Sequence, residues 1–469
     1  MNWEDRLYRA APGPIRTALL NLHALRIRHH RYGHRYEEVT REWDGLAWAS
    51  SNELQAYQSE RLAAVVEAAA NTVFYRKLWS SAGVTASSIR SVADLSRLPI
   101  VTKEALRDAG EAATTELAPR AGWLHGHTSG TTGSPLSLWY DREMCILNNS
   151  AERLQKVWAG VEAHDWIGLL LGRVITPLSE SSPPFWHANY VHKQVWFSSF
   201  HLRDETVAFY VAEMRRRGLR FVEGYPSTLF ILAQWLLKHN QTLPLKAVFS
   251  SSETLHQVQR EAITQAFAAP IFDYFGHAER AVFAIECDRH EGKHIIEPYG
   301  VVEIVDAKGR VLPDGEEGYI VGTSLHNRAM PMIRYRTSDI SAIETGECAC
   351  GRKFRRIRSI STKAEDIVVL PDGRWISPSI LTHPFKPYPA IVKSQIIQES
   401  LDRLRVLLVT RPEFSAEMEA GLIAEMSARV GLGVSIVVER VEDIPREKSG
   451  KYRWVISKID HALRMDWRG

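Results

Sequence analysis

The run HTSGTTGSP, His127 to Pro135, places hydroxyl-bearing and glycine residues side by side in a pattern suited to holding an anion. Thr128, Ser129, Thr131 and Thr132 offer hydroxyl donors, while Gly130 and Gly133 free the backbone to curl and present its N–H groups. The run is not a lysine-ended phosphate loop, because Leu136 stands where the lysine would be. A polar turn between two strands is the plainer alternative. Three further clusters bear on the same chemistry. DYFGHAER (Asp273–Arg280) sets a turn containing Gly276 and His277 before Glu279, whose hard oxygens suit magnesium unless it is simply a surface carboxylate. In MIRYRTSDI (Met332–Ile340), Asp339 is placed to accept from both hydroxyls of a ribose, or else to pair with Arg334 or Arg336. In PREKSGKYR (Pro445–Arg453), the Ser449-Gly450 turn projects Lys451, a compact cation that would offset charge where a carboxylate meets a phosphate. Its alternative is a solvated lysine.

A second chemistry is metal binding. Of the four cysteines, Cys287 sits in Cys287-x-x-His290, and Cys348 and Cys350 sit together in ECACGR; only Cys145 stands apart. Thiolates and an imidazole in closely spaced pairs suit a closed tetrahedral zinc site, structural because no position is left for substrate. His294 competes with His290 for the fourth place. Buried free thiols beside a surface histidine are the alternative.

Taken together and in this order, TSGTTGSP, YFGHAER, NRAMPMIRYRTSD and SGKYR resemble the adenylate-forming superfamily of acyl-CoA synthetases, luciferases and peptide-synthetase adenylation domains. Within it the chain looks like the phenylacetate–CoA ligase branch, and especially the CapK-like capsule-biosynthesis proteins. The resemblance implies an ATP-dependent ligase that turns a carboxylic acid into an acyl-adenylate and passes the acyl group to a thiol, with coenzyme A as the acceptor. It also fits transfer to an amine or hydroxyl in surface-polysaccharide assembly. By the same resemblance, Ser129, Gly130, Thr131, Thr132 and Gly133 contact the β- and γ-phosphates. Ser252 and Glu253 border the adenine, Tyr274 stacks near it, and Gly276 and His277 complete the nucleotide side. Glu279 binds magnesium, Asp339 the ribose, and Lys451 favours adenylate formation, which makes Glu279 and Lys451 the catalytic pair. Two departures stand out. Ala278 replaces the usual threonine before the acid, and the hinge reads Thr362-Lys363-Ala364-Glu365, leaving Lys363 to reach the ribose as a point charge. Similar cysteine–histidine patterns occur in this branch, which favours structural zinc. The acyl pocket is expected between Tyr140 and Tyr225, where Trp186, His187, Tyr190, Trp196 and Phe200 suggest a flat or aryl acid, with GYPS (224–227) alongside.

These residues need a scaffold, and the chain is long enough for two or more domains. Its first 120 residues read as mostly helical, with Asn52–Trp79 carrying apolar residues at helical spacing. Apolar runs at 166–172, 219–225, 246–252 and 269–276 then alternate with helical stretches such as 256–267, the pattern of a layered, largely parallel α/β core. Residues 300–340 alternate like antiparallel hairpins, with turns at Lys308-Gly309 and Asp314-Gly315. The last hundred residues mix strands (366–370, 403–410, 434–441) with a helix over 416–430. The expectation is a large α/β domain with a β-rich subregion over 1–361 and a small, mobile α+β domain over 362–469.

Composition (45% hydrophobic, 24% charged, net charge +3) is that of a globular protein and gives no reason to expect a nucleic-acid partner. No stretch approaches the roughly 20 apolar residues of a membrane span; WIGLLLGRVI (166–175) is interrupted by Arg173. The N-terminus lacks a secretion-signal pattern, and four cysteines do not suggest a disulfide scaffold, so a reducing cytoplasm is the expected setting. The basic segment Arg26–Tyr36 reads as a solvated helix end, with an anionic surface as the rival. A non-catalytic nucleotide-binding scaffold is the reading from another class.

Overall fold

The structure is a computed structural model that describes residues 8, 11–116, 122–128, 136–360, 368–376, 378–385, 387, 388, 390–444 and 453–459. The N-terminal part is helical as expected: α1 (Gly13–Arg31), α2 (His34–Leu46), α3 (Ser51–Ala70), α4 (Val73–Ser81) and α5 (Lys103–Ala109). Ser50 and Glu53 form a reciprocal cap on α3. The segment read as one helical stretch over 52–79 is broken at Asn71-Thr72. Thr72 accepts from the Tyr75 N–H at 3.0 Å and caps the start of α4.

Next come the hairpin β1 (Leu124–His127) and β2 (Ser137–Tyr140), then α6 (Arg142–Trp158), capped by Asp141 through the Met144 N–H at 2.7 Å. The central sheet follows. Strands β3 (Ile167–Leu170), β4 (Trp186–Asn189), β5 (Gln194–Phe197), β6 (Phe221–Gly224), β7 (Ala247–Ser250), β8 (Ile271–Gly276), β9 (Phe283–Ile285) and β10 (Lys293–Ile295) carry helices α7 (Asp204–Arg216), α8 (Pro226–Lys238) and α9 (Gln257–Phe267) between them. Strands β5, β3, β6, β7 and β8 run parallel in that spatial order. Strands β3, β6 and β7 are buried at every residue, as a parallel sheet covered on both faces requires. Antiparallel β4 closes one edge, and β9 and β10 extend the other.

A separate antiparallel sheet, β11 (Gly300–Val305), β12 (Gly318–Ser324) and β13 (Tyr335–Ser341), forms the expected β-rich subregion. Tyr335 at the start of β13 also bridges Val101, which ties this sheet to the segment leading into α5. The two-residue β14 (Arg356–Ile357) adds to the far edge of the central sheet beside β10.

The C-terminal part has its own sheet. It begins with the hairpin β15 (Val368–Val369) and β16 (Trp375–Ile376) and the short helix α10 (Pro378–Thr382). Strands β17 (Ile391–Ser400), β18 (Arg403–Thr410), β19 (Ser435–Arg440) and β20 (Val455–Ser457) then pair in the order β19-β18-β17-β20, and α11 (Ala416–Val430) joins β18 to β19. The fold is thus a large α/β part with a β-rich subregion and a small α+β part. No helix among the described residues is long and apolar enough to cross a membrane.

Candidate active site

The carboxyl ends of β7 and β8 meet the β1–β2 hairpin and one face of α6 around a cavity of about 480 Å³. Ligands of open α/β sheets bind at such strand ends. Ser252, Tyr274, Gly276 and His277 line one side, and Cys145, Asn148 and Glu152 of α6 line another. Gly126, His127 and Tyr140 come from the hairpin, and Arg31 from the end of α1. The Tyr274 ring stacks on Phe283, with centroids 5.1 Å apart.

Glu279 lies just past β8 and is buried, yet it is ionised. Tyr335 donates to its Oε1 at 2.6 Å, and His277 Nδ1 lies 3.2 Å from its Oε2. Burial alone would raise its pKa. The contact and charge of His277, the Lys103 ammonium and the Tyr335 hydroxyl together outweigh burial and hold it at about 2. Neither ring nitrogen of His277 has a well-directed hydrogen bond among the described residues, so the imidazole beside Glu279 has capacity left for a ligand. Lys103, the first residue of α5, is the site residue that sequence reading missed. Burial pulls its pKa down, with Glu279 and Glu104 opposing. A half-buried cation at a helix N-terminus faces both desolvation and the positive end of the helix dipole, so its position is favoured beside negative charge. That oddity was the available signal, since Thr102 already marked the helix start as its cap.

This arrangement can be set against known proteins. Residues 368–458 match the family described as the CapK C-terminal domain. Protein CapK of Staphylococcus aureus is 24% identical over 438 residues, covering 91% of this chain and 93% of its own. A phenylacetate–coenzyme A ligase of Aromatoleum evansii is 26% identical over 450 residues, covering 87% and 96%. The chain is a homologue of CapK and of the phenylacetate–CoA ligases. The fold agrees: a crystal structure of 2-hydroxyisobutyryl-CoA ligase with 2-HIB-AMP and CoA superposes with a TM-score of 0.56 at 20% identity, covering 88% of this chain and 91% of that one. The two chains share one fold.

Of the residues read from sequence, Ser252, Tyr274, Gly276 and His277 are brought together around the cavity, with Glu279 held against His277. Glu253 has a task of its own: its carboxylate accepts from the Ser227 N–H at 3.0 Å at the start of α8. Asp339 lies on β13 and is partly buried. Its two suggested arginine partners are engaged elsewhere. Arg334 makes a two-point pair with Glu303 at 2.9 and 3.0 Å, and Arg336 lies over the Tyr319 ring. Ser129, Gly130, Thr131, Thr132, Gly133, Lys363, Glu365 and Lys451 lie outside the described residues.

The aromatic side chains expected to line the acyl pocket do not reach this cavity. Trp186 packs against Phe197 and Tyr210, Trp196 lies against Arg173, Tyr190 is exposed, and His187 contacts Thr17 at 2.9 Å. Phe200 is buried in a cluster with the C-terminal part. Strand β4 and the edge of the sheet face α1 instead, which sequence spacing could not reveal. The aromatic wall is made by Tyr140, Tyr274 and Phe283. The basic segment Arg26–Tyr36 is largely the solvated helix end expected: Arg26, Arg28, His34 and Arg35 are exposed, while Arg31 lines the cavity and Tyr32 packs on Tyr36 and His192.

The cysteine cluster forms, with one exchange. The ligand atoms of Cys287, His294, Cys348 and Cys350 all lie within 4.8 Å of one another. Cys287 and Cys348 sulfurs are 3.7 Å apart, and Cys350 Sγ is 3.4 Å from His294 Nε2. His294 Nδ1 is 2.9 Å from the Phe354 carbonyl, which fixes the ring with Nε2 toward the sulfurs. His290 is not part of it. The chain turns at Cys287–His290 with His290 at φ 55°, and its ring points to Glu286, 3.0 Å away, in a network with Arg260. Three sulfurs and one oriented imidazole, with three of the four residues buried, fit a tetrahedral zinc ion.

Proposed function

We propose that this protein uses ATP to activate a carboxylic acid as an acyl-adenylate and then transfers the acyl group to coenzyme A. The observation that carries this is Glu279: an ionised carboxylate held by His277, Lys103 and Tyr335 beside the cavity at the strand ends. A substrate carboxylate oxygen attacks the α-phosphorus of ATP; that P–O bond forms, and the bond to the pyrophosphate oxygen breaks. In this reading Ser129, Gly130, Thr131, Thr132 and Gly133 hold the β- and γ-phosphates, Asp339 the ribose hydroxyls, and Ser252 and Tyr274 the base. Magnesium bound at Glu279 would supply positive charge to the phosphate oxygens. His277 offers the hydrogen bond that Ala278 cannot. Lys451 offsets the charge that gathers as the acid meets the α-phosphate, and rotation of the C-terminal part, hinged near Glu365, withdraws it before the thiol attacks. Zinc at Cys287, His294, Cys348 and Cys350 is structural. The test is acid-dependent ATP–pyrophosphate exchange with a panel of carboxylic acids. Exchange that requires both an acid and magnesium supports the reading; ATP binding with no acid-dependent exchange overturns it in favour of a nucleotide-binding scaffold.

A second reading of the acceptor, which the CapK-like resemblance also fits, passes the same adenylate to an amine or hydroxyl. Release of AMP with an acid and coenzyme A, measured against the same acid with amino or hydroxyl sugars, separates the two.

A further inference from the structure

One wall of the cavity is polar in an organised way. Cys145, Asn148 and Glu152 follow one another along a single face of α6, at the three- and four-residue steps that align side chains on a helix. Tyr299 donates its hydroxyl to Asn148 Oδ1 at 3.1 Å, so the Asn148 amide nitrogen must face the other way. It donates to Glu152 Oε1 at 3.0 Å. Glu152 Oε2 receives no hydrogen bond from any other described residue.

The nearby cation does not complete this carboxylate. Lys156 lies one turn further along α6, but its Nζ is 3.1 Å from Oε2 of the buried Glu223. Two carboxylates therefore share one ammonium, and the one that faces the cavity is left short of a partner. Arg280 is committed as well: its guanidinium sits 3.9 Å from the Tyr140 ring centroid and donates to Cys145 Sγ at 3.1 Å. The pKa of Glu152 is raised, by burial first and by Glu223, with Lys156 and Arg280 opposing. A carboxylate with one oxygen short of a donor, set into a binding cavity, disfavours an apolar occupant, because that occupant would strip its water and return nothing. The rings of Tyr140, Tyr274 and Phe283 line the same cavity.

We propose that the acid activated here carries, besides its carboxyl group, an amine or hydroxyl that donates a hydrogen bond to Glu152. This rests on the adenylation reading above and names the substrate class of the same site. Glu152 acts as the specificity determinant, and the aromatic wall accommodates a flat donor-bearing acid as well as a short aliphatic one.

The experiment is ATP–pyrophosphate exchange with matched pairs: phenylacetate against its 3- and 4-hydroxy and amino derivatives, and butanoate against its 3- and 4-hydroxy and amino derivatives. At least one donor-bearing acid should exceed its parent by ~10-fold or more in kcat/KM. Glu152→Leu should erase that advantage, read as the ratio of kcat/KM for the donor-bearing acid to that for its parent. Glu152→Gln, which keeps an acceptor oxygen but no charge, should retain the preference for a hydroxyl and lose that for an amine. Melting temperatures of both variants establish that they are folded, and the conservative Glu152→Gln carries the test if Glu152→Leu is not. Parent acids that match or exceed every derivative, or a ratio untouched by either substitution, overturn the inference while adenylation stands. No exchange with any acid removes the adenylation reading and this inference with it.

Discussion

Glu279 brings the chemistry to a single side chain. Its folded-state pKa of about 2 lies below the ordinary 4.5, so the stabilisation it gains from His277, Lys103 and Tyr335 is fully present above pH 4.5. It is lost as the pH falls through about 2. By linkage that shift is worth roughly 3 kcal/mol. Urea unfolding across the acid range should therefore show wild type losing stability relative to Glu279→Gln in that window, with the difference flat at neutral pH. The same variant should lose at least ~100-fold in exchange, as expected when a charge-stabilising ligand group is removed. Lys103→Met should lower kcat/KM for ATP by ~10-fold or more, and the double variant should fall well short of the product of the two losses, because the residues act on one charge. Strict additivity would place Lys103 outside the site. The two residues also show what was legible. Glu279 was visible because it follows a small-residue turn after an apolar strand. Lys103 was not, because its partner lies 176 positions away (279 minus 103) and only the packing of α5 against β13 brings them together.

At the level of elements, periodicity carried most of the fold. The apolar runs at 219–225 and 246–252 became β6 and β7, and the helix read over 416–430 is α11 at those same residues. What failed was local pairing by short spacing. Cys287-x-x-His290 has the separation of a metal-ligand pair, but the tight turn there sends His290 to Glu286. His294 reaches the sulfurs only because β10 folds back antiparallel on β9, with His294 opposite Ile285. Burial pushes the Cys287 thiol up to about 12, with its neighbouring cysteines adding to that, so the cluster needs a cation to stabilise thiolates. One zinc per chain is expected by atomic emission of purified protein. His294→Ala and Cys348→Ser should abolish it, while His290→Ala should keep it. Stripping the metal with a strong chelator should lower the melting temperature by several degrees, since the 345–355 loop would lose its tie to β10. Retention of zinc in His294→Ala would show that the assignment of the fourth ligand is wrong.

The whole molecule is held in one arrangement by a contact surface that any rotation of the C-terminal part must break. Phe200 and Tyr225 share a buried apolar cluster with Ile376, Ile380 and Phe385. Gly172, at φ 67°, lets this approach happen: a Cβ there would meet Ile380 Cγ1 at 2.7 Å. Arg374 reaches across the contact, donating to the Phe200 carbonyl at 3.2 Å and, within its own part, to the Val430 carbonyl at 2.7 Å. Arg411 pairs with Asp108 at 3.0 Å on the surface, a contact worth at most about 1 kcal/mol and therefore a safe place to intervene. If adenylation and thioester formation use different placements of this part, holding the present one must favour one step over the other. Joining Asp108→Cys and Arg411→Cys with a short bis-maleimide tests this, with wild-type protein treated in parallel to account for Cys350, the one partly exposed native cysteine. The cross-linked protein should keep one of acid-dependent exchange or acyl-CoA formation from pre-formed adenylate and lose the other by at least ~10-fold, whereas the unlinked double variant should keep both. Equal survival of both reactions after cross-linking would mean that the two half-reactions share this arrangement and that no rotation is required.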